Sequence, residues 1–404
     1  MLQTWVPPVV ALAYGGLLFG VAYLGDQRRS RLARIPWPFV YSLALGIYCT
    51  SWTFFGAVGR AVSDGWDYLS IYLGPILLFA VLYSIPRRII AISKRQRITS
   101  IADFIASRYG KSHGLAALVS FVALVVVLPY IALQLRAVSR SYDMLTHGNV
   151  ADVPPGITGD PALLLAIVLA VFTILFGTRQ VDVTESHRGM VLAVALESAV
   201  KLLAFVAVGL FAIFGVFDGP GQLLQEMRSD DRIRELYSSA TVGIPFLAHM
   251  MLAMLAIICL PRQFHVAVVE NTGPKDLATA RWAFPLYLGV FSLFVVPIAV
   301  AGMGIGGSDP DFYVLSVPLN SGQSGLALLA FLGGFSAATG MVIVATIACS
   351  TMLCNEVVIP VALRLRRGRL PEGEALGRLL IYIRRALVII ILLLAWICYR
   401  IIGA

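Results

Sequence analysis

Long apolar runs, broken by short polar segments, repeat along the whole chain. A membrane-spanning helix takes about 20 mostly apolar residues. By that measure the pattern predicts about ten spans, near 5–25, 36–58, 68–86, 114–138, 162–178, 189–215, 242–261, 283–303, 325–360 and 380–403. The ninth run is too long for one straight crossing, and its far end is predicted to tilt or to leave the bilayer. The segment ITSIADFIASRYG reads differently. It fits a short helix lying at the membrane interface, capped by Thr99 or Ser100, with Ile101, Phe104 and Ile105 on one apolar face.

Composition agrees with this reading. Of 404 residues, 59% are hydrophobic and 13% are charged, where soluble domains carry roughly 25% charged residues. A single soluble core does not hide that much apolar surface, so the sequence describes an all-α integral membrane protein. The first run has no basic start and no small-residue cleavage site after it, so it reads as a membrane helix and not as a signal peptide. The five cysteines, Cys49, Cys259, Cys349, Cys354 and Cys398, fall in apolar runs without metal-ligand spacing and read as small packing residues.

The formal net charge is +9, and 23 of the 31 Lys and Arg fall in the segments after the odd-numbered spans. The opposite segment DPDFYVLSVPLNSGQSG has none. Such alternation places the odd loops in the cytoplasm and the N-terminus outside. The positive charge is therefore a topology signal, and no nucleic-acid partner is expected. The lipid bilayer is the expected surrounding.

Charges inside a bilayer are expensive, which makes them functional candidates. Glu197 and Lys201 lie four apart in the sixth span, on one helix face, where they can neutralise each other or serve a site. Arg136 and Arg140 end the fourth span and snorkel. His249, in the seventh, is a substrate-path candidate or a hydrogen-bond partner to a neighbouring helix. In the second span Gly46, Gly56 and Gly59 weaken a helix, while Thr50, Ser51 and Thr53 add oxygens. A helix broken there would expose backbone carbonyls to a cation; glycine is equally at home in an unbroken membrane helix. Tyr48 and Thr50 are further substrate-path candidates. Residues 333–340, GGFSAATG, pose the same choice. Small residues let helices approach closely, or the hydroxyls of Ser336 and Thr339 serve an ion. No catalytic motif is present, so enzyme activity of this chain is left open.

Three motifs resemble the solute:sodium symporter family. GTRQVDVTESHRG matches its loop between the fifth and sixth helices through Gly177, Arg179, Thr184, Glu185 and Gly189. ITSIADFIASRYG matches its short cytoplasmic helix through Asp103, Phe104, Arg108, Tyr109 and Gly110. WTFFGAVG, with Trp52, Gly56 and Gly59, matches the end of its first core helix. LPYIALQLRAVSRSYDML, LPRQFHVAVVEN and GGFSAATGMVIVAT are similar to the membrane domain of CbrA-type sensor histidine kinases. The resemblance implies a leucine-transporter-type inverted-repeat bundle within one polytopic domain, 1–404. A leading helix would be 5–25, the first five-helix repeat 36–215, and the second repeat 242–404. The sequence stops after about ten spans, so the second repeat is expected to be incomplete and the chain a fragment. The resemblance also implies a small organic solute, an amino acid such as histidine, coupled to Na+ or H+, with no cofactor and no metal other than Na+. The domain would be the sensory input of a fused cytoplasmic kinase with a response regulator, in a bacterial inner membrane. A stand-alone sodium/solute symporter is the alternative. By the same resemblance the cation carbonyls belong to Gly46 and Cys49, facing Gly333, Ser336 and Ala337. Ala337 offers no hydroxyl there, and Thr339 is a possible substitute.

Overall fold

The computed structural model describes residues 2–26, 35–148, 160–177, 188–238, 243–307, 309–365 and 374–402. Arg179, Thr184 and Glu185 lie outside them. Nearly every described segment is helical. A leading helix α1 (Val6–Asp26) is followed by α2 (Trp37–Ala44), which tightens over Leu45–Tyr48 and stops at Cys49 in an extended conformation, φ −75°, ψ 97°. The chain resumes with a wide turn at Trp52–Gly56 and α3 (Ala57–Asp64). The arms Trp37–Tyr48 and Trp52–Ala80 are bent by 74°. Local chemistry supports the break, because the Thr53 hydroxyl donates to the Thr50 carbonyl at 2.8 Å, offering the backbone an alternative to the regular ladder.

Next come α4 (Leu69–Ala80), α5 (Ser84–Gln96) and α6 (Ile101–Arg108). The short helix predicted from ITSIADFIASRYG is α6. Its cap is Ser100, whose side chain accepts from Asp103 N at 3.0 Å, and Phe104 packs 5.8 Å from the ring of Phe264. After these run α7 (His113–His147), α8 (Pro161–Gly177) and α9 (Arg188–Phe211), then the small outer helices α10 (Pro220–Ser229) and α11 (Asp231–Ser238).

A second break follows α12 (Ile244–Cys259). Leu260 precedes Pro261, which disfavours a helical conformation for it, and it is extended at φ −70°, ψ 130°. The short α13 (Pro261–Phe264) and a wide turn to Val269 continue at 56° to α12. The sequence pattern treats the residues after 261 as a basic loop. Here they are helical, and Pro261 to Asn271 are all buried. The chain ends with α14 (Pro274–Leu293), α15 (Val295–Ile305), α16 (Tyr313–Asn320), α17 (Ser324–Leu353), α18 (Ile359–Leu365) and α19 (Glu374–Ile402).

Among the described residues, six helices are long and apolar enough to cross a membrane, two bent pairs add to them, and 161–175 is a shorter apolar helix. The ten predicted runs map onto these segments. The second and third are joined through a tight turn at Gly65–Tyr68, and the ninth continues helically to Leu365. The middle of the bundle is α17, with 83% of its apolar window buried, against 22% for α1 and 28% for α19. Large apolar side chains such as Leu12, Phe121, Val125, Leu164 and Ile390 face outward, as a multi-pass membrane protein requires. One end of the bundle joins Lys94 to the Val269 carbonyl at 2.8 Å and stacks Arg281 on Tyr83. The other end carries Arg60, Asp67, Arg140 and Asp309.

Candidate functional site between two helix breaks

The two breaks meet through α7. Thr50, at the first break, shares a hydrogen bond of 3.1 Å with the Tyr130 hydroxyl. The backbone N–H of Ser51 donates to Gln134 Oε1 at 3.0 Å, so a donor freed by the break is satisfied by a buried amide. Arg262, two residues past the second break, lies with its guanidinium carbon 4.7 Å from the centre of the same Tyr130 ring. One aromatic side chain thus touches both interruptions.

On the α9 and α17 side, every predicted polar group finds a partner. Lys201 Nζ donates to the Cys49 carbonyl at 2.8 Å. Thr339 Oγ1 donates to Glu197 Oε1 at 2.8 Å. Ser336 Oγ donates to the Glu197 carbonyl at 2.9 Å and lies 2.9 Å from the Tyr14 hydroxyl of α1. Since serine has one proton to give, Tyr14 is the donor in that second bond. Glu197 and Lys201 share a face of α9, and each is held by a group from a neighbouring segment. The Gly46 carbonyl accepts from Cys49 N at 3.0 Å. Of the predicted cation group, Cys49 meets Lys201. Ser336 and Thr339 gather around Glu197, and Ala337 is buried beside them without an oxygen to offer.

The glycines here answer to close approach. A Cβ on Gly333 would lie 2.6 Å from Ala204 Cβ and 2.7 Å from Phe54 Cζ. A Cβ on Gly340 would collide with Glu197 Oε2. A Cβ on Gly46 would stand 3.0 Å from Ser198 Oγ and Tyr287 Cζ. Small residues in GGFSAATG therefore let α17 meet α9 and the arm of Trp52, and they leave room for the Glu197 carboxylate.

The substrate-path candidates separate. Tyr48 donates to the Ile71 carbonyl at 2.7 Å, and Thr50 belongs to the Tyr130 junction. His249 lies at the outer end, its Nδ1 3.3 Å from Asp67 Oδ2, where Arg60 also binds Asp67. It is not part of the group between the breaks.

Arg262 and Gln263 were not singled out by their sequence, yet they are the unusual pair. Arg262 is 3% exposed and Gln263 fully buried. Among the described residues neither side chain makes a hydrogen bond or ion pair, and the stacking on Tyr130 is the one polar contact of Arg262. A charged side chain at the middle of a membrane helix costs about 2.5–3.5 kcal/mol on insertion scales. The signal available in the sequence was Pro261, which ends α12 for the reason given above.

No family model matches the sequence. The chain is 22% identical over 289 residues to YhjB, an uncharacterized symporter of Bacillus subtilis. That match takes in 70% of this chain and 55% of the relative, so it spans little more than half of the relative's length. A solved structure, the substrate-bound outward-open state of a Na+-coupled sialic acid symporter, superposes over 98% of this chain and 82% of its own, with TM-score 0.69 and 12% identity. The chain therefore has the leucine-transporter-type fold of a multi-pass symporter.

Proposed function

We propose that this chain is a symporter-like membrane domain that binds a small organic solute between its two helix breaks and moves it with a coupling cation. The observation that carries this reading is the pair of breaks, bent by 74° and 56°, joined through Tyr130. Broken helices at the bundle centre are how secondary transporters form a solute site. The similarity to two symporters supports it. The finer reading, an amino acid such as histidine as solute and a fused histidine kinase with its response regulator as partners, rests on the motif resemblance alone. So does placement in a bacterial inner membrane. The outward N-terminus rests on the Lys and Arg alternation.

The coupling ion is Na+ or H+. One contact favours H+: the Lys201 ammonium donates to the Cys49 carbonyl, so the oxygen a sodium ion would need already serves a cation belonging to the chain. Hard cations need several oxygen ligands, and Ser336 and Thr339 are committed to Glu197 and its carbonyl. Uptake of labelled amino acids into proteoliposomes, driven separately by a sodium and a proton gradient, tests the reading. Uptake above protein-free vesicles under either gradient is expected. No uptake under either, with no solute binding, would overturn it.

A further inference from the structure

Arg262 is a permanent cation, because its guanidinium does not give up its proton in proteins. It cannot relieve its burial by becoming neutral, so it calls for an anion. The protein offers none: no carboxylate, carbonyl or hydroxyl among the described residues bonds to it. The charges facing the first break do not fill the gap. Glu197 takes the Thr339 hydroxyl, Lys201 takes the Cys49 carbonyl, and Tyr48, Cys49 and Tyr130 bring no acceptor to the guanidinium. Among the described residues, Lys201, Arg262, Glu197 and Glu270 are buried charged groups near the two breaks. Glu270, further along the chain, lies 3.3 Å from His265 Nε2.

The geometry points to Arg262 as the anchor for the carboxylate of a small anionic or zwitterionic solute, an α-amino or α-hydroxy acid, held between the two helix breaks. This assignment rests on the solute-binding reading above and adds to it the residue that holds the solute's carboxylate.

The stacked arrangement suits that task. A guanidinium lying on an aromatic face is attracted through its π face, and its in-plane N–H fork stays free to match a carboxylate with two parallel hydrogen bonds. Tyr130 is itself hydrogen-bonded to Thr50, so the ring under the guanidinium is tied to the first break. Gln263 follows on the next helical position. Its Nε2 and Oε1 are both buried without a partner, and it points about 100° away around the helix. A sugar or polyol would leave the guanidinium unpaired, and a cationic solute would set a second positive charge beside it.

The purified chain in lipid nanodiscs should be followed by thermal unfolding with L-histidine, L-proline and L-lactate, each beside its primary amide. Glucose and inorganic phosphate serve as comparators. The expected result is that at least one acid raises the midpoint while its amide, at equal concentration, does not. Arg262→Gln should weaken binding of that acid at least tenfold, and Arg262→Lys should weaken it less. Equal shifts by acid and amide, or wild-type binding of the acid by Arg262→Gln, would overturn the assignment. So would stabilisation by phosphate alone. If glucose or the amides stabilise and no acid does, the solute-binding reading stands and the role of Arg262 falls. If no compound stabilises, both fall.

Discussion

The two sides of the bundle centre use buried polar groups in opposite ways. Around α9 and α17, Glu197, Lys201, Ser336, Thr339 and Tyr14 form a set in which each side chain has a hydrogen-bond partner, with the Ser198 hydroxyl of α9 left out of it. Around α13, Arg262 and Gln263 are as deeply buried and meet none. Equal burial with unequal satisfaction separates structure from function here. A satisfied network holds helices in register, whereas an unpaired buried charge lowers stability unless something arrives to complete it. GGFSAATG, which invites an ion-site reading, belongs to the first kind in this conformation. The RQ step after Pro261, which the charge pattern assigns to a loop, belongs to the second.

Three substitutions probe the closed side. Gly333→Leu should have the largest effect, since even the first added carbon would stand 2.6 Å from Ala204 and 2.7 Å from Phe54. Overpacking costs about 1–3 kcal/mol in ordinary cores and more where no neighbour can move. Loss of monodisperse protein in size-exclusion chromatography is expected, and a normal elution profile with an unchanged unfolding midpoint would show that α17 and the Trp52 arm are not in contact. Lys201→Met comes next. It removes the charged donor to the Cys49 carbonyl and a cation from the face of α9 that Glu197 shares, a loss of about 1.5–3 kcal/mol for the hydrogen bond. The double change with Glu197→Gln should recover much of that stability in a thermal melt, and strictly additive losses would show that the two residues do not share one electrostatic environment. Ser336→Ala should cost least of the three, about 1–2 kcal/mol for its bonds to the Glu197 carbonyl and Tyr14. Tyr14→Phe in the same background should add little, because the partner hydroxyl is already gone. A full additional loss would show that Tyr14 has another partner.

Much of this fold could be read from the chain. Apolar runs of the right length marked the spans, Thr99 and Ser100 were the two choices for the cap of α6, and Gly46 with the hydroxyls of Thr50 and Thr53 left a break in the second span as one of two readings. The second break was harder to see. Pro261 sits at the end of an apolar run, where a proline reads equally as the start of a loop, and Arg262 is one positive charge among many that report topology. Which Lys or Arg is buried depends on the fold of α13 back into the bundle, and hydropathy carries no record of that. The grouping of Ser336 with Glu197 and Tyr14 was hidden for a related reason. Residues 139 and 322 positions apart along the chain meet only once three helices pack.

The contrast between the two sides is tested most directly by one paired thermal melt of Lys201→Met and Arg262→Met, without added solute, in nanodiscs of one lipid composition. Removing a charge from a satisfied network destabilises, while replacing an unpaired buried charge by an apolar side chain of similar length lifts its desolvation cost and is neutral or stabilising. Lys201→Met should therefore unfold well below the parent chain, and Arg262→Met at or above it. A midpoint for Arg262→Met that falls as far as that of Lys201→Met would mean that the guanidinium is a structural partner like the rest, and the distinction between the two breaks would be lost.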